Sequence, residues 1–219
     1  MKNKNIMVVI AHRDDEIFIS GALKKWSNPK LNNNIYVVVL CDYSLDHTTD
    51  IRHKRRESFY YVMNDMKVKD FTVLSNRDLI SQSDEVTLAM NTYEIECAIE
   101  EIVENHNIEI TTVITMDDSD IHSDHRRVHE ISSVIFRKFK NIREMYTMNI
   151  LHSTQKLDKF NVFIDISNFI KTKKKYIKQY KGVLNEQLSL KNIINMDKHF
   201  GNKIGTRAAE ILYLKYKKM

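Results

Sequence analysis

The run IMVVIA at 6–11 constrains this chain most: it is apolar at every position and is cut off at once by HRDDE at 12–16. So short and uniform a run, rich in β-branched residues, is the pattern of a strand covered on both faces, since a strand with one wet face alternates. Similar runs recur at 35–41 (IYVVVLC) and 110–116 (ITTVITM), and VKDFTVL at 68–74 reads as a further strand. Helical stretches separate them. One runs through Phe18, Ala22 and Leu23 to Trp26, and another covers about 51–66. A third, over 91–107, places Ile95, Ala98, Ile99, Ile102 and Val103 at helical spacing among glutamates. This alternation predicts an α/β fold, a Rossmann-like, mostly parallel sheet flanked by helices.

The 219 residues fit one domain, with a core over about 1–141 and a C-terminal α+β extension over about 142–219. In the extension, TMNILHS at 147–153 and FNVFIDI at 160–166 read as strands, followed by a Lys-rich helix at about 168–181. A last helix is expected near 205–216, on Ala208, Ala209, Ile211, Leu212 and Leu214.

No stretch approaches the roughly 20 apolar residues of a membrane span. MKNKNIMVVIAHRDDE reads as a first strand and not as a signal peptide, because carboxylates follow its short apolar run. Cys41 and Cys97 are too few for a disulfide framework and form no CxxC pair, so a cytoplasmic protein with spectator thiols is expected. The net charge of +5 gathers in RHKRR at 52–56 and KTKKKYIKQYK at 171–181. Basic clusters are the footprint of nucleic-acid binding, but a solvated face in a Lys-rich chain is the preferred reading, and a cluster that attracts an anionic small substrate is a third.

Two polar clusters carry the chemistry. The first is His12-Arg13-Asp14-Asp15-Glu16, after the first strand; the second is DDSDIHSDH at 117–125, after the fourth. In a parallel sheet both emerge at the carboxyl edge, where such folds place their sites. Imidazole and carboxylate together make a borderline ligand set, suited to zinc, iron or cobalt, whereas magnesium prefers oxygen alone. Adjacent Asp14 and Asp15 point in different directions, so one can hold a metal while the other faces substrate. The spacing of His122 and His125 lets one ligate while the other faces a reacting carbonyl, and Asp124 can orient an imidazole. Two imidazoles and one carboxylate leave zinc a position for water. His129 reads as a spectator, and His47, His53, His106 and His152 as surface or packing residues. Pocket walls are expected from 42–50, 76–92 and the C-terminal third.

These residues resemble the zinc-dependent LmbE-like N-acetylglucosaminyl deacetylase (PIG-L) family. VVIAHRDDE at 8–16 is similar to its AHPDDE signature, and HSDH at 122–125 to its HPDH signature. Gly21, Arg55 near Glu57, VKDFTVLSNRD at 68–78 and VFIDIS at 162–167 extend the likeness. The resemblance implies His12, Asp15 and His125 as Zn2+ ligands (Fe2+ or Co2+ being alternatives), Asp14 as general base, and His122 as oxyanion stabiliser. It further implies Asp124 as support for a histidine and Arg55 as a substrate contact. Arg13 and Ser123 stand where the family carries proline, and Tyr180, Gly182 and Val183 where it ends a late helix in histidine-Ser-Gln. Arg13, beside the metal ligands, is expected to favour an anionic group on the substrate. The implied activity is removal of an acetyl or other acyl group from the amine of an N-acetylated amino sugar or its conjugate. The alternatives are an amidohydrolase of a non-sugar molecule and a non-catalytic protein, metal-stabilised or nucleic-acid-binding.

Overall fold

The apolar runs become the middle of one sheet. In the computed structural model, which describes residues 1–41, 49–74, 92–105, 107, 109–151, 153–184 and 188–218, five strands lie parallel. They are β1 (Asn5–Ile10), β2 (Asn34–Val39), β3 (Asp70–Val73), β4 (Thr112–Thr115) and β5 (Glu144–Met148). Two more, β6 (Val162–Asp165) and β7 (Ala209–Lys217), continue the sheet past β5, with β7 antiparallel to both of its neighbours. The resulting order is β3-β2-β1-β4-β5-β7-β6. β1 and β2 are buried along almost their whole length, as two-sided coverage requires.

Helices α1 (Ser20–Trp26), α2 (Thr49–Met66), α3 (Thr92–Asn105) and α4 (Ser123–Lys138) follow β1 to β4 in turn. α5 (Ile170–Gln179) and α6 (Leu190–Lys203) belong to the extension. α3 packs on α4, and α4 on β1 and β4, while α5 packs on α1, α2 and α6. The Rossmann-like reading thus matches the structure. No helix among the described residues is long and apolar enough to cross a membrane.

The extension departs from the sequence reading in three places. The helix expected near 205–216 is the strand β7. The first residues of β7 are covered on both faces, so Ala209 to Leu212 are all buried, including Glu210, and the alternation that marks a strand is lost there. Conversely, α6 forms where no element was expected, on Ile193, Ile194, Phe200 and Gly201, with the Ser189 hydroxyl accepting the Asn192 amide at its start. The strand read over 147–153 starts earlier, at Glu144, and ends at Met148.

A buried polar knot ties the extension to the core. Lys173 of α5 is fully buried and pairs with Asp197 of α6 at 2.9 Å and Glu210 of β7 at 2.7 Å. Its ammonium also donates to the Phe18 carbonyl at 3.1 Å. Glu210 accepts the backbone amides of Gly21 and Ala22 at 2.8 and 2.7 Å, capping the start of α1. The close approach needs a glycine, because a Cβ on Gly21 would lie 2.9 Å from Ile166 and 3.0 Å from Glu210. Burial pushes Asp197 up to about 7, with the Lys173 charge opposing it, since one ammonium serves two buried carboxylates.

Candidate metal centre

β1 and β4 pair in parallel, Val9 opposite Thr115, so the segments that leave them emerge side by side. This is also where strand order reverses, because β1 leads to β2 on one side and has β4 on the other. Open α/β sheets leave a crevice at such a switch point.

After β1 the chain tightens into a 3-10 turn, Asp15–Ile19. Asp15 folds back on its own turn and accepts the His12 amide at 2.7 Å. That fixes its carboxylate between two imidazoles: Oδ2 is 3.6 Å from His12 Nδ1, and Oδ1 is 3.4 Å from His125 Nε2. Ligands placed at zinc distances around a tetrahedron lie roughly 3.4 Å apart. The three donors thus suit one divalent ion, and their ligand atoms lie within 4.8 Å of one another.

The opposite nitrogen of each imidazole meets a carboxylate. His12 Nε2 is 3.0 Å from Asp124 Oδ2, and His125 Nδ1 is 3.0 Å from Asp120 Oδ2. Such pairing fixes the tautomer and raises the basicity of a liganding histidine. Asp120 is in turn held by the His122 amide at 2.9 Å and the Ser153 hydroxyl at 2.7 Å. The loop also anchors at Asp117, which accepts from Thr147 and Ser119, and at Asp118, which pairs with Lys159 and Lys215. Asp120 was not singled out from the sequence. Among the four aspartates of the loop only geometry distinguishes it.

α4 starts in the second cluster. Its cap is His122, whose Nδ1 accepts the Asp124 amide at 3.2 Å, and Ser123 occupies the first helical position, where proline is also at home. With Nδ1 accepting, a neutral His122 carries its proton on Nε2. Its ring stacks on His125 at 4.7 Å and stands edge-on to His12 at 5.0 Å. Burial, then the charges of His12 and His125, lower its pKa.

The electrostatics of the other groups oppose burial. Desolvation works against ionising Asp15, but the His125 charge and the two imidazole hydrogen bonds hold its carboxyl well below the usual range. Desolvation likewise disfavours charged His125, yet Asp15 and Asp120 raise it to about 9. His12 is raised well above its ordinary value against burial by hydrogen bonds to Asp124 and Asp15.

Asp14 heads the 3-10 turn, with the Arg55 guanidinium 3.2 Å from its Oδ2. Arg55 therefore reaches the site through Asp14. Arg13 is only 5% exposed, its guanidinium 5.8 Å from the Tyr60 ring, which places it in the packing of the site loop against α2. Glu16 is fully buried and accepts the Tyr180 hydroxyl at 2.5 Å, joining this turn to α5 at the late helix end that departs from the family pattern. His129 is buried on the Met116 carbonyl. His47, His106, His152 and most of 42–50 and 76–92 lie outside the described residues. A cavity of about 420 Å³ lined by Asp118, Ser119, Lys159, Tyr213 and Lys215 includes none of the metal-centre side chains.

A family model described as PIG-L, GlcNAc-PI de-N-acetylase, matches residues 7–136. No curated protein matches the chain. Among solved structures, N,N'-diacetylchitobiose deacetylase from Pyrococcus horikoshii is 19% identical with a TM-score of 0.71, over 97% of this chain and 84% of that one. The conserved protein TT1542 from Thermus thermophilus is 15% identical with a TM-score of 0.73, over 99% and 96%. GalB, a 4-carboxy-2-hydroxymuconate hydratase from Pseudomonas putida, is 14% identical with a TM-score of 0.72, over 99% and 98%.

Proposed function

Because the chain belongs to the PIG-L family, we propose that it is a metal-dependent N-deacetylase that releases acetate from an N-acetylated amino sugar or its conjugate. The observation that carries this reading is the donor set itself. Two imidazoles and one carboxylate converge, and each imidazole is backed by its own carboxylate. Three protein donors leave a divalent ion room for water, unlike a closed structural site. The fold alone does not choose the chemistry, since a hydratase shares it, so the reading stands on family and site together.

Zn2+ is the ion that best suits this mixed set, and Fe2+ or Co2+ fit the same donors. A divalent ion held by His12, Asp15 and His125 would supply Lewis acidity there and would make a water easier to deprotonate. The chain's own residues divide the remaining work. Asp14, held by Arg55, takes the proton of the attacking water and delivers it to the departing nitrogen. His122 offers its Nε2–H to the carbonyl oxygen as negative charge gathers there. Asp124 and Asp120 keep the rings of His12 and His125 in register.

The test is amine release from a panel of N-acetylated amino sugars and their conjugates, with chelator and with added zinc. The reading expects release that chelator abolishes and zinc restores. If no N-acetylated sugar is cleaved while N-acylated non-sugar amides are, the substrate class is wrong.

A further inference from the structure

The exposed face of α5 carries lysines, and the helix has no carboxylate of its own. Lys171, Lys175 and Lys178 are exposed and Lys174 is half-buried, with exposed Lys181 just past the helix end. Like charges three and four residues apart repel, and Lys171 adds a cation to the helix N-terminus, where the dipole opposes it. The fold then brings the other basic segment alongside. Ser58 of α2 donates to the Gln179 carbonyl at 2.8 Å, and a Cβ on Gly182 would lie 3.4 Å from Lys54 Nζ. Asp65 offsets this charge only in part, since it is taken by Lys175 at 2.8 Å and by the Tyr176 hydroxyl at 2.6 Å. Among the described residues, Lys54, Lys171, Lys174, Lys178 and Lys181 have no carboxylate partner. The same two helices also reach the metal centre, where Tyr180 at the end of α5 meets Glu16 and Arg55 of α2 meets Asp14.

We propose that this lysine face holds an acidic polysaccharide, and that the amino sugar to be deacetylated is borne on such a chain. The proposal rests on the reading of the metal centre as an N-deacetylase. A row of cations repeated at about 5 Å along a helix suits a chain that repeats its anionic groups, whereas one small anion needs a single pocket. Single-stranded nucleic acid needs open aromatic faces on which bases stack. Among the described residues, the one large exposed apolar side chain on α2 or α5 is Tyr61, and Lys175 Nζ lies over its ring at 5.1 Å. A membrane surface would need apolar side chains beside the lysines, and Tyr61 alone does not supply them.

Hyaluronan, which alternates a carboxylate sugar with N-acetylglucosamine, is the probe, read by anisotropy of a labelled oligosaccharide titrated with the full-length protein over a salt series. The wild type is expected to bind it, more weakly as salt rises. The combined variant Lys54→Gln, Lys178→Gln and Lys181→Gln is expected to lose roughly tenfold or more in affinity. Lys191→Gln, Lys198→Gln and Lys203→Gln together make the same charge change at exposed positions of α6 and are expected to cost less than about twofold. Equal losses in the two variants, or no salt-dependent binding by the wild type, overturn the proposal. Tighter binding to single-stranded DNA of equal charge, or to phosphatidylglycerol vesicles, overturns it in favour of those partners. Amine release from N-acetylated sugars is read separately on the wild type, and its absence on every sugar overturns the deacetylase reading while the binding result stands.

Discussion

At the scale of the residue, the two adjacent aspartates of the first cluster meet different partners. Asp15 stands between two imidazoles and Asp14 beside Arg55, because the 3-10 turn sends the two carboxylates to different partners. Asp120 meets His125 Nδ1 and also holds the His122 amide. Asp120→Asn is therefore expected to weaken metal binding by roughly 10–100-fold, the usual effect of losing such a partner. Competition with a chromogenic chelator measures this, and an unchanged affinity would remove Asp120 from the account.

Protonation gives a second prediction at this scale. His125 is held near 9, and His12 is also raised, so below pH about 9 an incoming ion must displace protons from the imidazoles. Affinity should fall as pH drops, by roughly tenfold per unit for each displaced proton. An affinity flat between about pH 7.5 and 8.5, as ordinary histidines would give, contradicts it. The sign for the metal-free fold is the reverse. A histidine whose folded pKa is raised from 6.5 to about 9 contributes fully below 6.5, and that stability disappears as pH rises through 9.

At the scale of the element, the strand exits were legible in the sequence because a buried parallel strand leaves so plain a trace. IMVVIA can hardly be anything else, and the residues behind it then had to stand at the sheet edge. The extension was harder to read for a physical reason. Covered on both faces at its start, β7 offered Ala208, Ala209, Ile211 and Leu212, which fit a helix as well as a strand. Lys173 and Glu210 were opaque for the same reason, since a charge buried by partners from distant segments looks like any surface charge. Their knot can be tested. Lys173→Met leaves Asp197 and Glu210 buried without their cation and should lower stability by about 3–5 kcal/mol. A denaturant midpoint close to that of the wild type would show that the knot contributes little.

At the scale of the whole molecule, a sheet of Rossmann order supplies a crevice, and an antiparallel extension closes the other end of the sheet. The extension is held to the turn that carries Asp15 through Lys173, which reaches the Phe18 carbonyl, and through Tyr180, which reaches Glu16. The sequence motifs marked out His12, Asp15 and His125, whose ligand atoms the fold brings within 4.8 Å of one another. They could not show that Arg55 sits on Asp14 or that Arg13 turns into the packing beside Tyr60, because both depend on where α2 lies.

The central claim is the separation of metal holding from proton transfer across two adjacent aspartates. Bound zinc and amine release measured together in Asp14→Asn test it most directly. The account predicts a full equivalent of tightly bound zinc and a loss of roughly 10²-fold or more in turnover, as removal of a general base typically causes. A variant that keeps its zinc and nearly all of its activity, or one that loses the tight zinc itself, would contradict it.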